Sequence, residues 1–160
     1  MKKAAIIGGS MSGLFAANFL KKINWDYSIH EMVPEPLSGR GAGIATYDEL
    51  AKLVKLTTGY NKSLGTSCNE RIVLNKQNEV ISKIKYPQVF TSWQYLYDVL
   101  LSNVDKKKYF LATLEFSKLS QSKLSVKPYF NDFSPFQINA NLLNISCLLY
   151  TSDAADESDR

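Results

Sequence analysis

The first thirty residues fall into short blocks of apolar and polar positions. Lys3 to Ile7 is an apolar run that stops at Gly8, and from Leu14 the pattern Leu14, Ala17, Asn18, Leu20, closed by Lys21 and Lys22, has helical period. Asn24 ends that helix, and Tyr27 to Glu31 alternates as a second strand, which gives strand, helix and strand within about 30 residues. Pro34, Pro36 and the stretch Gly39 to Gly43 then predict a loop. Tyr47 to Leu56 is helical in period, with Leu50, Leu53 and Val54 on one face and Thr46 as its expected cap. Arg71 to Asn75 and Val80 to Lys85 predict a hairpin around Lys76-Gln77-Asn78-Glu79, closed by Pro87. Thr91-Ser92 can cap a helix carrying Trp93, Leu96, Tyr97 and Leu100 at helical spacing. Strand-like runs follow at Tyr109 to Thr113, Leu114 to Leu119, Leu124 to Tyr129, Phe136 to Ala140 and Leu142 to Ile145. The chain has no internal repeat.

Composition narrows the classes. The 160 residues are 45% apolar and 21% charged, the make-up of one soluble domain, and a chain of this length folds without disulfides or a structural metal. Cys68 and Cys147 are far apart and His30 is the single histidine, so neither a disulfide framework nor a zinc site is expected, and a cytoplasmic setting fits that usage. Lys2-Lys3 before apolar residues imitates a signal peptide, yet Gly8-Gly9-Ser10 and Ser12-Gly13 interrupt the run; neither secretion nor a membrane span is expected. The net charge of +4 rests on lysines spread along the chain. Their one dense run, Lys106-Lys107-Lys108, reads as a solvated turn, so nucleic acid is not an expected partner. His30 has no relay partner in the sequence and is expected to be structural or solvent-facing; Cys68 has no basic neighbour to activate it.

The candidate chemistry lies in Gly8-Gly9-Ser10-Met11-Ser12-Gly13, which has the spacing of a dinucleotide fingerprint with serine at the second glycine position. Gly8 allows the tight turn, the small Ser10 lets the backbone approach a pyrophosphate, and Gly13 lets the helix pack close to the strand. Backbone N–H groups and the positive helix end then face the phosphates. Glu31, 18 residues after Gly13 at the end of the second strand, is placed to accept hydrogen bonds from a ribose hydroxyl. Both FAD and NAD use this fingerprint.

Downstream of Glu31, the glycine-rich loop Gly39-Arg40-Gly41-Ala42-Gly43-Ile44 holds an arginine. This loop, the opening Ile6-Ile7-Gly8-Gly9-Ser10, and Tyr86-Pro87-Gln88-Val89-Phe90-Thr91-Ser92-Trp93 with Leu96-Tyr97 resemble the FAD-binding domain of flavoprotein aromatic hydroxylases, the class A monooxygenases, especially the dihydroxypyridine hydroxylase branch. The resemblance runs over roughly residues 3 to 145. It implies an α/β fold: part of a Rossmann-like FAD-binding domain of the glutathione-reductase type, with a parallel sheet and a β-rich insertion. It also implies Gly8, Gly9, Ser10, Met11, Ser12 and Gly13 at the FAD pyrophosphate, Glu31 at the adenosine ribose, Arg40 near the phosphates or ribityl chain, and Gln88 as a further cofactor contact. A guanidinium suits a diphosphate because it can pair with it in two places. Relatives often carry arginine where this chain has Trp93, so Trp93 is read as a packing residue.

By the same resemblance the parent protein hydroxylates a small aromatic or N-heteroaromatic substrate with NAD(P)H as electron donor; another FAD- or NAD-dependent oxidoreductase is the alternative. The resemblance leaves a homodimer of the longer protein open. The tail from Cys147 to Glu157 is similar to a translated sequencing adapter, so residues 1–146 are expected to be a partial FAD-binding domain and 147–160 to be foreign to it. No glycine follows Gly65, so the later glycine motifs of the family have no counterpart here. Catalytic and substrate-lining residues are then expected beyond Ile145, and the chain as written is expected to hold FAD weakly or not at all and to leave substrate unhydroxylated.

Overall fold

Strand β1 (Lys3–Ile7) runs parallel between β2 (Asp26–His30) on one side and β9 (Leu142–Ile145) on the other, with Ile6 opposite Ile29 and Asn144. Ala4, Ala5 and Ile6 are all buried, as expected for a parallel strand covered on both faces. The computed structural model describes residues 2–39 and 42–111 and the backbone of three later strands, 116–121, 126–130 and 142–145. Within these, β6 (Tyr109–Phe110) completes the four-stranded order β6-β2-β1-β9. The remaining elements are α1 (Met11–Lys22), β3 (Gly43–Thr46), α2 (Asp48–Thr58), β4 (Thr66–Leu74), β5 (Val80–Ser92), α3 (Trp93–Ser102), β7 (Phe116–Gln121) and β8 (Val126–Phe130). Strands β3, β5 and β4 form an antiparallel sheet, and β7 pairs with β8. The expected α/β fold, with a parallel sheet and a β-rich insertion, is present.

Several element boundaries differ from the expectations. Helix α1 begins at Met11 instead of Leu14, so the second half of the glycine motif is helical. Thr46 does not cap α2: it ends β3, its hydroxyl donates to the Val89 carbonyl at 3.0 Å, and Tyr47 takes the cap position without a side-chain capping bond. Of the three residues read as one apolar face of α2, Val54 is buried and Leu53 is exposed. Strand β3 starts at Gly43, the last residue of the expected loop, and runs through residues for which the pattern predicts no strand; pairing with β5, a tertiary contact, makes it one. The hairpin is longer than Arg71 to Lys85, and Pro87 lies inside β5. Between the pairs Glu70–Lys85 and Cys68–Gln88, Tyr86 and Pro87 face Asn69 alone, so Pro87 sits in a bulge where its missing N–H interrupts no regular ladder. Strand β6 covers Tyr109 and Phe110, the start of the run read to Thr113. Phe136 to Ala140 and residues 147–160 lie outside the described residues.

The core joins α1 to α3. Leu14, Ala17 and Leu20 pack with Leu96, Tyr97 and Leu100, and Val54 of α2 belongs to the same cluster. Asn18 is a polar residue on this apolar face, fully buried and fully bonded. Its Nδ2 donates to the carbonyls of Leu14 at 2.8 Å and Leu100 at 3.0 Å, and its Oδ1 accepts from Asn103 Nδ2 at 2.6 Å. Two of these partners are at the C-terminal end of α3, where carbonyls lack helical partners. Asn18 thereby fixes α3 against α1.

His30 is the structural member of the two alternatives left by the sequence. It is buried, stacks on Phe110 at 5.2 Å between ring centroids, and has Nε2 3.0 Å from Ser28 Oγ. Burial pushes its pKa down to about 4.

Two outcomes follow from this packing. Asn18→Leu strands the Leu100 carbonyl and the Asn103 amide, so chemical denaturation should show a loss of about 1–3 kcal/mol; unchanged stability would mean that the bonds carry nothing. For His30 the unfolded state takes up a proton near pH 6.5 and the folded state only near 4, so folding stability is complete above pH 6.5 and falls as pH drops towards 4. The fall is about 2–3 kcal/mol across that window. Asp26, held below its usual value by its bond to Lys108, acts in a lower window, beneath pH 3.8. His30→Gln should flatten the decline between pH 6.5 and 4.5; a slope unchanged from wild type would contradict the assignment.

Candidate cofactor site

The glycine turn links the end of β1 to the start of α1. Gly8 has φ +97°, a region that side chains disfavour, and its N–H donates to the His30 carbonyl at 2.8 Å. Gly13 sits directly over this turn: a Cβ there would lie 2.0 Å from the Gly8 carbonyl oxygen. The absence of a side chain therefore sets how closely α1 seats on β1. The first amide of α1 bonded back to the turn is Leu14 N, to the Ser10 carbonyl at 2.9 Å, so the amides of Met11, Ser12 and Gly13 precede the helical ladder. The Ser10 side chain makes no capping bond and the first turn carries no acidic residue. This helix end presents positive potential with no carboxylate of its own to cancel it.

Glu31 follows β2 and reaches back to the turn. Its Oε2 accepts from Gly9 N–H at 2.7 Å, its Oε1 accepts from Val33 N–H at 3.2 Å, and its own N–H donates to the Phe110 carbonyl at 2.9 Å. The residue is 7% exposed. An ionised carboxylate only accepts, and it offers about four lone-pair sites to donors. Gly8, Gly9, Ser10, Met11, Ser12, Gly13 and Glu31 are thus brought together by the parallel pairing of β1 and β2.

Arg40 and Gly41 lie outside the described residues. Their neighbours are tied to the start of α3: Gly39 N–H donates to Gln94 Oε1 at 3.0 Å, and Trp93 N–H donates to the Ala42 carbonyl at 2.8 Å. Gln94 is held in turn by Nε2 donating to Asp98 Oδ1 at 2.8 Å. Ser92 caps α3 as expected, accepting from Tyr95 N–H at 3.0 Å. Trp93 is buried and stacked on Tyr97 with 4.8 Å between centroids, a packing role.

Gln88 stands in the second sheet. It is buried, and its Oε1 accepts from Arg71 Nε at 3.1 Å and Nη2 at 2.8 Å, which fixes the amide orientation because a guanidinium only donates. Its Nε2 has no hydrogen-bond partner among the described residues. Gln88 lines a cavity of about 310 Å³ with Thr46, Tyr47 and Ser67, and no residue of the glycine turn borders that cavity. Among the described residues no cluster of His, Cys, Asp and Glu could hold a metal, and no helix is long and apolar enough to cross a membrane.

The sequence reading missed Tyr109, which looked like an ordinary strand residue after a lysine turn. Its hydroxyl donates to the Gly9 carbonyl at 3.0 Å. Nothing in local pattern marks a contact spanning 100 positions.

No family model matches the chain. Over 138 residues it is 28% identical to 2,6-dihydroxypyridine 3-monooxygenase of Paenarthrobacter nicotinovorans, a match covering 86% of this chain and 34% of the relative. The solved structure of 2,6-dihydroxypyridine-3-hydroxylase from Arthrobacter nicotinovorans superposes with a TM-score of 0.76 at 28% identity, over 89% of this chain and 36% of that one. Klebsiella pneumoniae HpxO, solved with FAD and uric acid, shares the fold alone at 19% identity, with a TM-score of 0.70 over 89% of this chain and 38% of that one. In sequence and in fold, then, the chain is related to the FAD-dependent monooxygenases and spans about a third of the length of those it matches.

Proposed function

We propose that this chain supplies the adenosine-diphosphate end of an FAD site in a monooxygenase that hydroxylates an aromatic or N-heteroaromatic ring, with NAD(P)H as electron donor. The observation that carries the reading is the meeting of Glu31 with the glycine turn: a buried carboxylate 2.7 Å from Gly9 N–H, beside an uncapped helix start free of acidic residues. That arrangement offers an acceptor for ribose hydroxyls next to donors for phosphate, which is the chemistry of a dinucleotide's adenosine half. Bound FAD would supply the redox chemistry that activates oxygen and delivers one oxygen atom to the ring.

The chain's own residues bind and orient. Gly8, Ser10 and Gly13 keep the turn bare enough for a pyrophosphate to approach the backbone, while the amides from Ser10 to Gly13 and the helix dipole face it. Glu31 accepts from ribose hydroxyls next to its bonds with Gly9 and Val33. Arg40, on a loop anchored at Gly39 and Ala42, pairs with the phosphates. Gln88, whose Oε1 accepts from Arg71, offers its Nε2 hydrogens to an acceptor on the flavin or on the substrate side. The 28% identity to a dihydroxypyridine monooxygenase supports a nitrogen heterocycle as substrate.

Titration of the purified chain with added FAD, followed by quenching of flavin fluorescence, tests the reading. Of the two outcomes the sequence leaves, weak binding or none, the assembled turn and Glu31 favour the first: weak but saturable binding that ADP displaces is expected. Glu31→Gln, which keeps the shape and removes the charge, should weaken binding about tenfold, the worth of a charge-assisted hydrogen bond. Absence of saturable binding, or equal binding by the Glu31→Gln chain, would overturn the proposal.

A further inference from the structure

Tyr109 begins β6 and is paired with Ile29 of β2, so it enters the sheet beside the strand that Glu31 follows. The hydroxyl end of its ring lies against the glycine turn: a Cβ on Gly9 would be 2.1 Å from the phenolic oxygen and 2.5 Å from Cζ. The bare Cα of Gly9 is therefore required by Tyr109, independently of any ligand. The Tyr109 hydroxyl donates to the Gly9 carbonyl at 3.0 Å and so spends its one hydrogen there. The buried Tyr97 hydroxyl, 3.3 Å away, must then donate to Tyr109, which gives the chain Tyr97 to Tyr109 to Gly9. Burial pushes the Tyr109 phenol well up, so it stays protonated and keeps its donor across the physiological range.

The consequence falls on the next amide. All peptide bonds described here are trans, and in a planar trans peptide the C=O and N–H point in opposite directions. Holding the Gly9 carbonyl towards Tyr109 turns the Ser10 N–H to the opposite side, at the cap position of α1. A glycine-flanked peptide is otherwise free to rotate. The preceding peptide is fixed from the other side by Glu31 at Gly9 N–H.

We propose that Tyr109 is a positioning residue of the cofactor turn, holding the Gly9–Ser10 peptide in the one orientation that presents the Ser10 N–H to a phosphate. The inference rests on the FAD reading for its ligand, and on the geometry above for the orientation itself. Preorganised donors bind without losing freedom at the moment of contact, so the gain appears as affinity.

The test compares the wild-type chain with Tyr109→Phe, which keeps the ring against Gly9 and removes the donor. In isotope-labelled chains without ligand, the Gly9 carbonyl carbon and the Ser10 amide nitrogen resonances should move while the resonances of α2 and β4 stay in place. The dissociation constant for added FAD should rise about 3- to 10-fold, as for one neutral hydrogen bond. As a control for the contact itself, Gly9→Ala should lower the melting temperature strongly alone and much less in combination with Tyr109→Leu. Unmoved Gly9 and Ser10 resonances with unchanged FAD affinity in Tyr109→Phe would overturn the positioning role and leave the FAD reading standing. Resonances that move in Tyr109→Phe, together with a wild-type chain that binds no FAD, would sustain the positioning of the peptide and defeat the cofactor reading.

Discussion

The close seating of α1 on β1 at Gly13 is the constraint from which the rest follows. With 2.0 Å between a hypothetical Cβ and the Gly8 carbonyl, no side chain fits, and even alanine would drive the helix off the turn. Seated there, α1 lays Leu14, Ala17 and Leu20 onto the sheet and brings Asn18 within reach of α3. The same seating places the helix start at the C-terminal end of β1, beside the end of β2, where a parallel sheet opens its binding crevice. Packing and candidate function share one geometric cause.

Around that crevice the polar groups are held from several directions. The Gly8 amide is tied to β2, the Gly9 amide to Glu31, and the Gly9 carbonyl to β6 through Tyr109. Gly39 and Ala42, on either side of Arg40 and Gly41 in the sequence, are both tied to the start of α3. Each tie uses a backbone group that would otherwise need water. The turn is a rigid frame before any ligand arrives, which is the physical requirement for recognising a phosphate through amides.

Much of this was legible in the sequence because the signals are local. The fingerprint, the apolar run before it, the helical face after it and Glu31 at the right interval all lie within 31 residues, and the structure sets them together. The Ser92 cap and the face Trp93, Leu96, Tyr97 and Leu100 were legible for the same reason. The misses are non-local. Thr46 looked like a cap because nothing in its neighbourhood announces the pairing with β5, and Pro87 looked like a terminator because a bulge needs knowledge of the partner strand. Gln88 and Tyr109 take their environments from Arg71 and Gly9, residues that pattern alone cannot bring near.

The antiparallel sheet stands apart from the glycine turn in chemistry as well as in topology. Its cavity beside Gln88 has a buried amide nitrogen without a partner among the described residues, whereas the turn offers backbone amides at a helix start. The measurement that separates these two places is amide chemical-shift mapping of the labelled chain during titration with FAD. Shifts concentrated at Gly8 to Gly13 and at Glu31 to Val33, with a lesser response at Gly39, are the predicted result. A silent glycine turn, with shifts confined to α2 and the β4–β5 hairpin, would contradict the assignment of the turn and Glu31 as the cofactor site.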